Sequence, residues 1–288
     1  MAFKRLEPED FIVSSDSVTS TVWSNNSPSL NTYFSSSVQT EGTSGPYYLS
    51  VYQTDPDAEE AAVQFQIAYA NKNGNGGVLF DSAVSGKSPT TTIYGQYRTL
   101  VLEDENASFV WGDSFTGSAD NDFYVISIER ARYKQSLLPG SLNLVLSSSN
   151  NNINNIQLTD DSNMVTLPTY YGTQRAYQLI SGSNGKAATG TPGGTGYTLA
   201  SGSYGLVLPD ISTILLNAAA LNGSTAGDGG ISIDTNVDPD TFGDNPTKLY
   251  NAIKDVQLII NDNPAGIGNP LTTNIFEFIE REALKASR

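Results

Sequence analysis

Residues 123–146, FYVISIERARYKQSLLPGSLNLVL, constrain the fold more tightly than any other stretch of the chain. Tyr124, Ile126 and Ile128 alternate with Phe123, Val125 and Ser127, and period-two alternation puts the two sets on opposite faces of a strand. Continued in the same register, that strand carries Arg130, Arg132 and Lys134 onto the face of Tyr124. Pro139-Gly140 suits the central positions of a type II turn, where proline presets φ and glycine accepts φ > 0. Leu142, Leu144 and Leu146 alternate beyond it, so a second strand is expected to return beside the first. The whole chain has 15 Lys plus Arg against 30 Asp plus Glu, which makes three cations on one ribbon a local exception. They read either as cross-strand partners for the protein's own carboxylates or as a contact for an acidic partner.

The same balance gives a net charge of −15, a field that repels phosphate backbones and argues against nucleic-acid binding. Only 16% of residues are charged, so most of the polarity comes from Ser, Thr, Asn, Gln and Gly. With 26 Gly, 13 Pro and 15 Tyr in 288 residues, the composition points to turn-rich β structure rather than a helical bundle. The expected class is mainly β: an antiparallel, jelly-roll-like β-sandwich with long loops and one or two short helices. No apolar run approaches the ~18 residues of a membrane span. The opening MAFKRLEPEDF has no apolar signal-peptide core, so a soluble protein with no membrane partner is expected.

In chain order, residues 1–46 read as an N-terminal arm anchored by Phe11-Ile12-Val13 and Val22-Trp23. A β-sandwich domain is expected over 47–150, with strands at Tyr47–Tyr52, Val63–Tyr69, Val78–Phe80, Thr91–Leu102, Phe109–Trp111 and Phe123–Glu129. Asn71–Gly77 (NKNGNGG) is a turn cluster, because Asn and Gly tolerate left-handed φ. The polar run Ser147–Asn155 marks a loop and a candidate boundary. A second β-rich domain follows over 151–270, with strands at Arg175–Ile180, Tyr204–Leu208 and Ile214-Leu215-Leu216, the last after a Pro209-Asp210 turn. A short helix is expected at Pro246–Lys254, capped by Asn245 and apolar along Leu249, Tyr250 and Ile253. Within 271–288, Asn274 and Glu277 have capping-box spacing, which predicts an amphipathic helix whose Ile275, Phe278 and Ile279 form an apolar face that either packs on its own domain or docks on a partner.

The sequence contains no His and no Cys, which removes the commonest general base, imidazole and thiolate metal ligands, and the thiol nucleophile. Carboxylate chemistry of the glycoside-hydrolase kind is what remains. Glu103, Asp104, Glu105, Asp160 and Asp161 sit in turn-like stretches and read as solvated loop acids. Gly86-Lys87-Ser88 copies the end of a phosphate-binding loop, but Asp81 stands where its first glycine belongs. Pro89 and the β-branched run Thr90–Ile93 also argue against the helix such a loop requires. The glycines at 190–196 lack the strand-to-helix unit of a dinucleotide site. Asp-Pro-Asp occurs at Asp55 and Asp57 and again at Asp238 and Asp240, outside any twelve-residue calcium loop. No catalytic residue, cofactor or metal is expected.

Several long segments resemble a known family: FKRLEPEDFIVSSDSVTSTVWS (3–24), VQFQIAYANKNGNGG (63–77), SGKSPTTTIYGQYRTLVL (85–102) and YVISIERARYKQSLLPGSLNLVLS (124–147). IQLTDDS (156–162), LISGSNG (179–185) and SYGLVLPDISTILLN (203–217) extend the likeness over most of the chain. The family is one of virion structural proteins of contractile-tailed, T-even-like cyanophages. The resemblance implies a non-enzymatic particle component of the tail or baseplate, made in the host cytoplasm and contacting other virion proteins. A homo-oligomer within a symmetric assembly fits such a part, and a capsid or neck decoration protein is the alternative position. A different class, a carbohydrate-binding module of a tail fibre or tip, would stack sugars on Trp23, Trp111, Tyr170 and Tyr171.

Overall fold

A computed structural model of the protein describes residues 12–14, 17–24, 33–36, 48–52, 57–59, 61–77, 88–111, 122–132, 136–147, 156–187, 204–222, 230–233, 235, 244–254, 275–281 and 285–287. The chain opens with strands β1 (Ile12–Ser14), β2 (Ser17–Ser24), β3 (Tyr33–Ser36), β4 (Leu49–Tyr52) and β5 (Val63–Asn71). Helix α1 (Pro89–Leu102) follows, then β6 (Asp122–Ile128), β7 (Ser136–Leu137), β8 (Asn143–Leu146) and β9 (Ile156–Asp160). Next come β10 (Thr169–Tyr171), β11 (Gln174–Ser183), β12 (Lys186–Ala187), β13 (Gly205–Leu208) and β14 (Thr213–Asn217). Helices α2 (Ala218–Asn222) and α3 (Asp244–Lys254) precede β15 (Ile275–Arg281) and β16 (Lys285–Ser287).

The protein is mainly β, and its antiparallel sheet curls into a half-barrel. The main path runs β2-β15-β8-β9-β11-β13-β14-β6-β5-β4-β3, with β10, β12 and β7 attached beside it and β1 paired separately with β16. Laid flat, the six strand gaps between β8 and β5 would separate them by about 29 Å. Yet α3 touches both strands, so the sheet wraps around this helix. Asn245 Nδ2 donates to the Gly76 carbonyl (3.3 Å) just past β5, while the Ser147 amide just past β8 donates to the Ala252 carbonyl (2.8 Å). Leu249, Tyr250 and Ile253 of α3 fill the concave side against Phe65, Ile67, Tyr124, Ile126, Leu144 and Leu216. On the opposite side Ile93, Tyr94, Tyr97 and Val101 of α1, with Phe109 and Trp111, cover Ala68, Phe123, Val125 and Leu215. Phe123 and Val125 thus face one core and Tyr124, Ile126 and Ile128 the other, as the alternation in β6 requires.

Several expectations are corrected. Thr91–Leu102 is helical: Ser88 caps it through its side chain, Pro89 opens it, and Ile93, Tyr94, Tyr97 and Val101 share a buried face. Burial of that face outweighs the extended preference of the β-branched residues. Leu142–Leu146 does not return beside Phe123–Ile128, because β5 and β14 occupy both edges of β6 and β8 pairs with β9 and β15. Residues 275–281 form a strand, not a helix; pairing with β2, β7 and β8 satisfies their backbone. A strand also does not gather positions 275, 278 and 279 on one side. Phe109–Trp111 makes at most a single bridge, and Asn245 lies inside α3 rather than capping it. Ile214–Leu216 is a strand as expected, followed by the short α2. The expected boundary near 150 and the strand Val78–Phe80 fall outside the described residues, and strands from either side of 150 share one sheet and one core.

Because α3 braces the curl from inside, Leu249→Ala is expected to lower stability by about 2–5 kcal/mol. Asn251→Ala on the exposed side of the same helix should change it by no more than about 0.5 kcal/mol. Chemical denaturation of the two variants checks the contrast.

Candidate functional site

Titratable and polar groups converge where three turns meet at the end of β9. The first is the Pro139-Gly140 turn, closed by the Ser141 amide on the Leu138 carbonyl (3.2 Å), with Gly140 at φ 86°. The second follows β9 and carries Asp161, Ser162 and Asn163. The third is the Asn184-Gly185 turn between β11 and β12, in which both residues have positive φ, 51° and 73°. Positive φ at both central positions is the type I′ geometry that suits a twisted hairpin.

Asp160 and Asp161 are 1% and 2% exposed, which corrects the expectation of solvated loop acids. Asp160 Oδ1 accepts from the Gly140 amide (2.8 Å) and the Ser162 amide (3.2 Å), tying the first turn to the second. The Asp161 amide donates to the Gln178 carbonyl and Asp161 Oδ1 accepts from the Gln178 amide, both at 3.0 Å, which extends the β9–β11 ladder. Thr159 Oγ1 accepts from the Gly185 amide (2.9 Å). Asn143 and Asn184 exchange two hydrogen bonds of 3.1 Å, and Asn163 Nδ2 donates to the Asn184 carbonyl (2.8 Å). A Cβ on Gly140 or on Gly185 would come within 2.8 or 2.5 Å of Asn163 Nδ2, so the corner closes only with glycine at both turns.

Burial raises the Asp161 carboxyl to about 6; the Gln178 amide opposes the shift and the charge of Asp160 adds to it. That value would suit a proton shuttle. At 2% exposure, however, Asp161 presents no surface to a substrate, and its Oδ1 is held by the main chain. The chemistry this arrangement performs is to fasten three loops. The half-buried Asp122 accepts from the Tyr69 hydroxyl (2.5 Å); burial raises both groups.

The residues singled out in the sequence do not assemble into one place. β6 ends at Ile128 and the chain turns through a 3₁₀ segment at Arg130–Arg132, so Arg130 and Arg132 do not continue the strand along the Tyr124 face. Arg130 is exposed, and Lys134 lies outside the described residues. Arg175 forms the ion pair with Asp210, through Nη2 at 2.5 Å and Nε at 3.1 Å, which lowers the Asp210 carboxyl. Of the aromatic set, Trp111 is 1% exposed and stacked on Phe109 at 5.1 Å, so its ring has no face for a sugar. Tyr170 is 61% exposed and Tyr171 half-buried; the Trp23 side chain is outside the described set. Ile275, Phe278 and Ile279 lie on β15. Glu103, Asp104 and Glu105 are exposed as expected, and of the Asp-Pro-Asp acids only Asp57 is among the described residues.

Gly86-Lys87-Ser88 leads into a helix after all, against expectation. Its N-terminus is closed from within: Ser88, 0% exposed, donates to the Gly74 carbonyl (2.8 Å), and Thr90 donates to the Asn75 carbonyl (3.0 Å). Among the described residues no group of three or more carboxylates is placed to hold a metal. No family model, no curated protein and no solved structure matches the chain.

Asp161 has a folded value above its ordinary 3.8, so its ionisation costs stability. Its contribution is present in full below pH 3.8 and lost as pH rises through about 6. Asp161→Asn keeps the acceptor for the Gln178 amide and removes that ionisation. The variant should melt several degrees above the parent at pH 8, because the rise from 3.8 to about 6 is worth up to about 3 kcal/mol. At pH 4 the gap should close, and a pH-independent difference in thermal scans would contradict the assignment.

Gly185→Ala meets both positive φ and the contact with Asn163, and should cost about 1–3 kcal/mol in urea titration.

Proposed function

We propose that the protein is a non-catalytic structural component of a bacteriophage virion, in the contractile tail or baseplate, acting through protein–protein contacts. One observation carries the reading: among the described residues, 17–24 and 33–36 provide β2 and β3, the two end strands of the antiparallel sheet. Edge strands are templates for pairing with another chain, and strand addition is a recurring mode of protein recognition. The N-terminal arm inferred from the sequence is therefore the part of the molecule best placed to meet neighbours. The family resemblance of the segments quoted above supports the same reading. So does the use made of Asp160 and Asp161, whose Oδ1 atoms are occupied by the protein's own amides. The sugar-binding reading keeps Tyr170 as an exposed ring but loses Trp111 to the core.

Mass spectrometry of purified particles, followed by an electron cryo-microscopy map into which the chain is traced, tests this. The expected result is a symmetric set of copies with β2 or β3 beside a strand of a neighbouring subunit. Absence of the chain from purified particles would overturn the proposal.

A further inference from the structure

We infer that β15 is an exchangeable strand: the slot between β2 and the β7–β8 edge accepts residues 275–281 from a second copy of this chain. The inference deepens the assembly reading by naming a partner and the surfaces that meet. β15 is an interior strand contributed from far along the chain. On one side it pairs with β2 from Ile275↔Ser24 to Arg281↔Ser17. On the other it pairs with β8 through Phe276↔Leu144 and Glu277↔Asn143, and with β7 through Glu280↔Leu137 and Arg281↔Ser136. Without it, β2 and the 136–144 segment would present two facing open edges one strand apart. Main-chain groups left unpaired there need a strand to satisfy them, so the occupant has to be extended and antiparallel.

The covalent connection permits the exchange. Twenty residues, 255–274, separate α3 from β15 and span at most about 70 Å when extended. A chain of 288 residues folds to a radius of gyration of about 19 Å, so that reach passes well beyond one molecule. By contrast β2 is held to its own body by the eight residues 25–32, at most about 30 Å of chain. The donated piece is thus β15, and the receiving copy supplies β2, β7 and β8. Every register pair made within one chain is remade between two, so the contacts are equal and local concentration decides which form prevails. Reciprocal donation closes two copies into a twofold dimer, whereas donation passed on from copy to copy makes the interface heterologous and closes into a ring or extends as a row.

The chain lacks cysteine, which makes a direct test clean. Ser136→Cys and Arg281→Cys place one thiol on each side of a register pair, in two separate proteins. The two variants are mixed, unfolded and refolded together at increasing concentration, and oxidised. Exchange predicts a covalent heterodimer whose 136–281 linkage is seen by peptide mass spectrometry and whose fraction rises with concentration. Each variant alone should not form that linkage. The doubly substituted chain reports whether the pair can bond at all. If it closes within itself while the mixture gives no 136–281 linkage at any concentration, the strand does not exchange. If neither links, the slot is not as described, and the inference also fails. A heterodimer formed by a protein absent from virions would leave the exchange standing and sink the virion assignment; a particle protein that does not cross-link would do the reverse.

Discussion

The fold depends on a helix held inside a sheet. α3 is eleven residues, about 16 Å of axis, and its ends are tied to opposite arms of the curl. Asn245 bonds to the loop after β5, and the Ala252 carbonyl receives the amide after β8. An open antiparallel sheet of this many strands has no intrinsic reason to stop at one curvature. Filling the concave side with Leu249, Tyr250 and Ile253 sets the radius at roughly one helix diameter plus side chains. The curl also explains how β2 and β3, eight residues apart in the chain, can lie at opposite ends of the sheet path. Ten flat strand gaps would separate them by about 48 Å, more than that connection can span.

A helix within and a helix without give the central strands two buried faces. Phe65, Ile67 and Tyr69 of β5 look toward α3, while Ala68 and Ala70 look toward α1. The small residues on the outer side let α1 approach closely, and the rings of Tyr94, Phe109, Trp111 and Phe123 fill the space beside them. Stability is therefore concentrated in β5, β6, β13 and β14, whereas polar tethers rather than apolar burial hold the turns around β9.

What was legible in the sequence follows from this arrangement. The strands β5, β6 and β14 announced themselves through alternation or apolar runs, because burial imposes a pattern on side chains. The Pro139-Gly140 turn was legible because its backbone needs those two residues. α1 was not, since Thr90, Thr91, Thr92 and Ile93 have the composition of a strand and mask the helix-start signal of Ser88 as cap with Pro89 after it. β15 is not legible locally, because capping-box spacing is common by chance and the strands it joins lie some 130 and 250 residues earlier in the chain. At the candidate site Asp160 and Asp161 were visible as acids, but their burial was not. It arises from contacts with Gly140 and Gln178, which no local pattern encodes. Asn184-Gly185 is itself a short hairpin signal, and it forms the turn between β11 and β12.

The charge of the chain bears on how such a molecule could meet copies of itself. A net charge of −15 repels a like molecule at long range, and at physiological salt that repulsion fades beyond a Debye length of about 8 Å. Strand pairing acts at about 4.8 Å and is directional, so it operates inside the range where charge still opposes contact. Association then requires a register in which many main-chain bonds form together, and casual contact between acidic surfaces gains nothing. Asp160 and Asp161 are withdrawn from the surface into backbone amides, and the half-buried Asp122 and Asp210 are engaged by the Tyr69 hydroxyl and by Arg175. The acids left outside oppose casual contact, and the end strands of the sheet among the described residues offer a directional one.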